Sequence, residues 1–272
     1  MPDFSAQNPA ASPALVSEFA AAVHAAGCLA LDAFGKPLRT WFKGQSSPVS
    51  EADIAVDELL RKKLSALAPD AGWLSEETED APGRLAALRV FIVDPIDGTR
   101  AFLAGRADWA VSAALVEAGR PVLGALYAPV TDEFFLAVSG GGASRNGVPL
   151  RASSGDAIAG ARIAGPKGVI ERLATLAPAF EILPRIHSLA LRLARVADGT
   201  LDIAIAGRNA ADWDLAAADL LVHEAGGVLT TVGGAQPVYN RAIPVHGVLV
   251  AAGRARHHAL AVLLRGQEAK LA

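Results

Sequence analysis

The stretch that most constrains this chain is Val90-Phe91-Ile92-Val93-Asp94-Pro95-Ile96-Asp97-Gly98-Thr99-Arg100. Four consecutive apolar residues, three of them β-branched, predict a buried strand. Asp94 stands at its end, because Pro95 has no N–H with which to continue an interior ladder. Asp97-Gly98 then predicts a sharp turn, since glycine takes positive φ without a Cβ clash. Two carboxylates three residues apart on one corner can aim at a common point. Hard oxygen ligands held that close suit magnesium, which completes its shell with water and substrate phosphate. If Gly98, Thr99 and Arg100 open a helix, their amides add an anion cradle beside the metal. Read alone, the same residues also describe a plain strand followed by an Asp-Gly turn.

Composition narrows the class. The 272 residues allow a large core, in one big domain or two smaller ones. With 52% hydrophobic but only 6% aromatic residues, that core is built from Ala, Leu, Val and Ile. A formal charge of -3 provides no field to gather a nucleic-acid polymer or an anionic membrane. A phosphate substrate therefore needs local positive charge, from metal ions or single basic residues. The one cysteine, Cys28, excludes an internal disulfide, fits a reducing cytoplasm, and sits in an Ala/Leu-rich run as a packed thiol. The N-terminus has neither a cationic start nor an apolar signal stretch, and no run of 18 apolar residues is free of charge or His. These features predict a cytoplasmic protein without a membrane span.

Along the chain, residues 1–12 are Pro/Ala/Ser/Asn-rich and are expected to fray. Leu15, Phe19, Val23, Ala26 and Ala30 fall at helical spacing and predict a helix from Pro13 to Phe34. The Gly/Ser/Pro tract from Trp41 to Ser50 reads as a loop, with Lys43 a solvated charge. Val56, Leu59, Leu60, Leu64 and Leu67 predict a second helix from Glu51 to Leu67. Ser50-Glu51-Ala52-Asp53 has capping-box spacing, which gives Asp53 a structural task. Gly72 to Ser75 is a short strand running into the acids Glu76 and Glu77. Trp109–Glu117, Val122–Ala128 and Glu133–Val138 are strands parted by short Gly/Pro/Asp turns, an antiparallel meander, and Asn146-Gly147 predicts a further hairpin.

The Ser/Gly loop near residue 152 is the expected boundary between an N-terminal α+β metal-binding domain, 1–152, and a C-terminal α/β domain, 153–272. Beyond it come strand Ala161–Ala164, helix Val169–Leu176, strand Phe180–Leu183, helix Ser188–Val196 and strand Leu201–Ile205. A helix opening at Asp212 with that residue as N-cap, and closing at Gly226 or Gly227, follows. Asp214 in its first turn has a structural explanation in the helix dipole. Strand Gly247–Ala252 and helix Arg254–Leu264 close the chain, with His257 and His258 expected at the surface.

Together, three motifs resemble the inositol monophosphatase family of magnesium-dependent, lithium-sensitive phosphatases. They are Ser75-Glu76-Glu77, Asp94-Pro95-Ile96-Asp97-Gly98-Thr99, and Trp213-Asp214-Leu215-Ala216-Ala217 continuing to Glu224-Ala225-Gly226-Gly227. Val49-Ser50-Glu51-Ala52-Asp53 is a weaker fourth. The resemblance implies a layered α-β-α-β-α sandwich of α/β (α+β) class, with an antiparallel sheet in the first half, a mixed sheet in the second, and often a homodimer. It implies two or three Mg2+ ions: Glu76, Asp94 and the Ile96 carbonyl for one, and Asp94, Asp97 and Asp214 for another. Such a pair suits in-line displacement at phosphorus. Glu76, Thr99 and Asp53 would be the catalytic residues, Thr99 near Asp53 orienting the attacking water. Asp97, Asp214 and the Gly98 and Thr99 amides would hold the substrate. The expected partner is a small phosphate ester.

Other chemistries lack their motifs. There is no G-x-S-x-G elbow, no G-x-x-x-x-G-K-[ST] loop and no zinc spacing among the His residues. A metal-binding regulatory homologue without turnover is the non-enzymatic alternative, and the presence of every expected carboxylate together with Thr99 argues against it. Inositol-specific relatives place an acid and a His shortly before the Trp-Asp pair, where this chain has Gly207 and Ala211. Neither side chain can hydrogen-bond a ring hydroxyl. Asp212 before Trp213, and Arg100 after Asp-Gly-Thr, resemble instead the bisphosphate nucleotidase branch, with Arg208 placed to meet a second phosphate. Adenosine 3′,5′-bisphosphate and histidinol phosphate therefore stand beside inositol phosphates as candidate substrates.

Overall fold

The computed structural model describes residues 11–44, 47–176 and 180–266. The expected fraying of residues 1–12 falls mainly outside them. Helix α1 spans Pro13–Ala33, with Ser12 Oγ accepting from Leu15 N at 3.2 Å and Pro13 pre-set for the first turn. By length and composition this 21-residue helix, with an 18-residue window of mean hydropathy 1.7, could cross a bilayer. In the fold its Phe19-Val23-Ala26-Ala30 face is buried in the core instead. The tract read as a loop is an antiparallel hairpin, β1 (Thr40–Lys43) and β2 (Ser47–Ser50), with Trp41 opposite Val49. Pro48 fits there because a two-stranded ribbon consists only of edges, where proline is tolerated; residues 45–46 lie outside the description. Helix α2 (Glu51–Leu67) begins with the expected capping box, Ser50 N and Oγ donating to Asp53 Oδ2 at 2.8 and 2.5 Å.

The first sheet has seven strands: β3 (Gly72–Ser75), β4 (Arg89–Asp97), β5 (Ala110–Glu117), β6 (Arg120–Ala128), β7 (Glu133–Val138), β8 (Gly142–Arg145) and β9 (Val148–Pro149). A 3₁₀ turn, Pro82–Ala86, precedes β4, and the short helix α3 (Thr99–Leu103) follows it. β3 runs parallel to β4 and every other neighbour is antiparallel. Asn146 and Gly147, φ 50° and 78°, form the β8–β9 turn that needs two positive φ angles.

Strand β4 does not stop at Asp94 but continues through Pro95 to Asp97. Asp94 pairs with Ser112 and Asp97 with Ala110, so three steps on β4 oppose two on β5, which is a bulge. Proline fits there because the bulge takes its missing N–H out of the ladder. In a regular strand residues three apart face opposite ways; the extra residue turns both carboxylates to the same side.

The second half supplies β10 (Arg162–Ala164), α4 (Lys167–Ala174), β11 (Glu181–Ile182), α5 (Leu189–Ala197), β12 (Ile203–Ala206), β13 (Ala210–Ala211), α6 (Asp212–Glu224), β14 (Gly227–Thr231), β15 (Val245–His246), β16 (Leu249–Gly253) and α7 (Arg254–Leu264). Its main sheet is mixed, in the order β11-β10-β12-β16-β14, the first three parallel and the rest antiparallel. β13 and β15 form a separate ribbon. The sequence reading has no counterpart for β14, which starts on the glycine taken only as a helix stop.

Alternation along the strands builds five layers, as the α-β-α-β-α expectation has it. Phe91, Val93, Val111 and Leu123 face α1 and α2 through Phe19, Val56 and Leu60. Val90, Ile92, Ala114 and Leu126 face the other way, onto α5 and α6, which also cover Ala204, Ala206 and Ala251 of the second sheet. Ile163, Ile203 and Ile205 face α4 and α7. The central layer is thin, which accounts for the alanines: a Cβ on Gly124 of β6 would come within 3.0 Å of the Ala217 backbone in α6. The α6 N-cap is Ala211, not Asp212, and Asp214 at the third position accepts from Ala211 N at 2.7 Å. His257 is buried, its Nε2 2.9 Å from Thr230 Oγ1, and only His258 is exposed.

Candidate active site

The β4 bulge, the start of α6 and the start of α5 meet at one point. Oxygens of Asp94, Asp97 and Asp214 lie within 4.8 Å of one another. Asp94 and Asp97 are buried, and Asp94 Oδ1 accepts from Ile96 N at 3.0 Å inside the bulge. Asp97 reaches the N-terminus of α5, where Ser188 Oγ and Ala190 N donate to Oδ2, each at 2.6 Å, and Leu189 N to Oδ1 at 3.2 Å. Asp214 is held by its own helix start. Among the described residues, no cation is within ion-pair distance of any of the three.

Electrostatics follow from that crowding. Burial first, then the charges of Glu76, Asp97 and Asp214, hold the Asp94 carboxyl well above its ordinary range. Burial, and then Asp97, do the same to Asp214. Asp97 is raised less, because Ser188 and the α5 amides offset its burial. Glu76 is pushed up to about 7 by burial and by Glu77 beside it. A group of acid oxygens, two from buried residues and one from a half-buried one, with no contacting cation among the described residues, is the donor set a hard divalent ion requires.

Of the other expected residues, Glu76 follows β3 and its N–H donates to Val93 O at 3.3 Å, beside Asp94. Thr99 opens α3 after Gly98, whose φ of 95° admits no ordinary side chain. A Cβ there would also stand 3.1 Å from Asp108 O and 3.2 Å from Ser188 N. Thr99 Oγ1 lies 3.2 Å from Asp53 Oδ1 and 3.0 Å from the Ile96 carbonyl, which joins the capping box of α2 to the bulge. Burial raises the Asp53 carboxyl against the hydrogen bonds from Ser50 and Thr99. Arg208 is exposed, in the turn between β12 and β13. Asp212 is buried and committed, to His246 Nε2 at 2.7 Å and Asn240 N at 2.7 Å, so its carboxylate anchors α6. Lys43 is not a solvated charge: it pairs with Glu77 and donates to Glu76 O at 2.7 Å.

Three participants escape the sequence reading. Ser188 is recognisable as a helix start, but its contact with Asp97 spans 91 positions. Asp57, one turn after Asp53, accepts from Ser75 Oγ and Thr78 Oγ1, both at 2.5 Å, and so braces the segment that carries Glu76. Arg192 is a buried cation on the apolar face of α5; its signal was a charge at a position where helical spacing calls for leucine.

Residues 12–269 match the model of the inositol monophosphatase family. The inositol-1-monophosphatase of Rhizobium meliloti (strain 1021) is 36% identical over 240 residues, 84% of this chain and 90% of that protein. A 3′(2′),5′-bisphosphate nucleotidase CysQ from Aggregatibacter actinomycetemcomitans is 33% identical over 211 residues, 73% of this chain and 77% of that one. The crystal structure of extragenic suppressor protein suhB from Bartonella henselae superposes with a TM-score of 0.82 at 31% identity, covering 93% of this chain and 99% of that one. The chain belongs to the inositol monophosphatase family and is a phosphomonoesterase.

Proposed function

We propose that this phosphomonoesterase is magnesium-dependent and that Glu76, Asp94, the Ile96 carbonyl, Asp97 and Asp214 hold its two or three ions. The observation that carries this reading is the trio of carboxylates with oxygens within 4.8 Å of one another and, among the described residues, no contacting cation. Bound there, divalent ions supply Lewis acidity to the entering water and to the oxygen that leaves. The chain's own residues do the rest. Thr99 Oγ1 accepts a hydrogen bond from the attacking water while donating to Asp53, whose burial makes it the better proton acceptor. The Gly98 and Thr99 amides orient the phosphate for in-line attack. The water oxygen bonds to phosphorus as one of its protons passes through Thr99 to Asp53, the ester P–O bond breaks, and the leaving alkoxide takes up a proton from solvent and departs as the alcohol.

The experiment is hydrolysis of inositol 1-phosphate with excess chelator and after Mg2+ is restored. Activity should vanish and return; full turnover in chelator would defeat the reading. For substrate we infer breadth, because Gly207 and Ala211 bring no side-chain hydrogen-bonding group to the places before Trp213. Arg208, exposed beside them, supports a second anionic group, which makes adenosine 3′,5′-bisphosphate a candidate beside inositol phosphates and histidinol phosphate. The kcat/KM ratio of that nucleotide to inositol 1-phosphate should fall in Arg208→Ala; an inositol preference untouched by the substitution would remove the nucleotide. We further read residues 1–152 and 153–272 as two domains that share this site, in a cytoplasmic, lithium-sensitive homodimer.

A further inference from the structure

Arg192 lies on α5, one turn from the helix start that grips Asp97, and is 4% exposed. Among the described residues its guanidinium contacts no carboxylate. Nε and Nη2 donate to the Ile186 carbonyl at 3.2 and 2.6 Å, and Nη1 donates to the Ile205 carbonyl at 3.0 Å. Burying a cation without a contacting anion is costly, and the helix would bury a leucine at that position more readily. The two acceptors explain the choice. Ile186 lies two residues before Ser188, in the segment whose Ser188, Leu189 and Ala190 hold Asp97. Ile205 is in β12, which leads through one turn to Ala211, whose N–H holds Asp214. One guanidinium thus ties together the two segments that hold two of the clustered carboxylates. Asp97 and Asp214 in turn favour its charged form, against the burial that pulls it down to about 10.

We propose that Arg192 is a positioning residue for the metal centre: by bridging the Ile186 and Ile205 carbonyls it fixes the spacing of Asp97 and Asp214 so that one cation can meet both. The proposal rests on the reading of these carboxylates as metal ligands. A lysine keeps the charge but cannot span the two carbonyls as a planar fork does, so Arg192→Lys separates geometry from charge.

The test is an Mg2+ titration of the purified protein, followed by calorimetry and by the rise in Tm, with activity measured alongside. Residues that orient metal ligands typically change affinity about 10–100-fold, and Arg192→Lys should raise half-saturating Mg2+ by about that factor. KM for inositol 1-phosphate at saturating Mg2+ should stay within about twofold. Arg256→Lys, at another buried arginine that donates to Ser153 Oγ and the Ala157 carbonyl, should lower Tm without moving the Mg2+ requirement. If Arg192→Lys is unfolded without metal, the Mg2+ concentration that refolds it becomes the readout. An unchanged half-saturation, or Arg192→Lys and Arg192→Gln both unfolded at every Mg2+ concentration, assigns Arg192 to folding alone and overturns the proposal. Wild type that binds no Mg2+ would overturn the metal reading itself, a failure visible before any variant is compared.

Discussion

Asp94 joins three of the effects described here. The bulge turns it toward Asp97, burial strips its water, and Glu76, Asp97 and Asp214 all repel its charge. Asp94→Asn should therefore remove most turnover, about a thousandfold if several kcal/mol of transition-state stabilisation are lost, while the fold survives because the repulsion is relieved. A folded Asp94→Asn enzyme with near-normal kcat would refute its assignment. A second carboxyl, Asp219 on α6, bears on stability instead. Burial pushes it up to about 6 even though Tyr239 Oη donates to it at 2.9 Å. The folded chain then holds a proton that the unfolded chain releases near pH 4. Its contribution is complete below about pH 4 and lost as pH rises through 6. Asp219→Asn should gain stability relative to wild type between pH 5 and pH 8, read by urea denaturation; an equal difference at both pH values would contradict the shift.

At the scale of elements, the β1–β2 hairpin has no sheet neighbour among the described residues, and Lys43 ties it to Glu77 and the Glu76 carbonyl. Lys43→Met should leave α1, α2 and the sheets intact while exposing the hairpin to limited proteolysis and lowering activity severalfold through Glu76. Proteolysis at the wild-type rate would show the hairpin to be held by other contacts. This element was illegible in sequence for a physical reason. Its Gly, Ser and Pro residues mark loops by local preference, while its pairing is set by tertiary placement above Glu77. Helices α1 and α2 were legible because their burial follows a 3.6-residue period, and the meander because turn residues punctuate it. The β4 bulge was half legible: Pro95 announced a break in the ladder, but whether the strand stops or bulges depends on β5, which the local sequence does not carry. The carboxylates of the site were likewise readable as motifs, whereas the residues that orient them, Ser188, Asp57 and Arg192, act across the fold and leave no local pattern.

Across the whole molecule, the proposed site draws Asp53, Glu76, Asp94 and Asp97 from the first half of the chain and Asp214 from the second. Helix α6 sits in the central layer, packed on both sheets. The repulsion concentrated there opposes the packing of one half on the other, so a bound cation should stabilise the entire fold rather than a loop. A ligand that binds only the folded chain contributes about 2.7 kcal/mol at a hundred times its Kd. For a chain of this size that corresponds to a rise of about 5 °C in Tm. Differential scanning calorimetry in chelator and in saturating Mg2+ should show a shift of that order in one cooperative transition. In Asp94→Asn the shift should shrink to a small fraction, since the carboxylate expected to bridge the ions is gone. A wild-type Tm indifferent to Mg2+, or a shift fully retained in Asp94→Asn, would mean that the cluster is not where the cation acts on the fold.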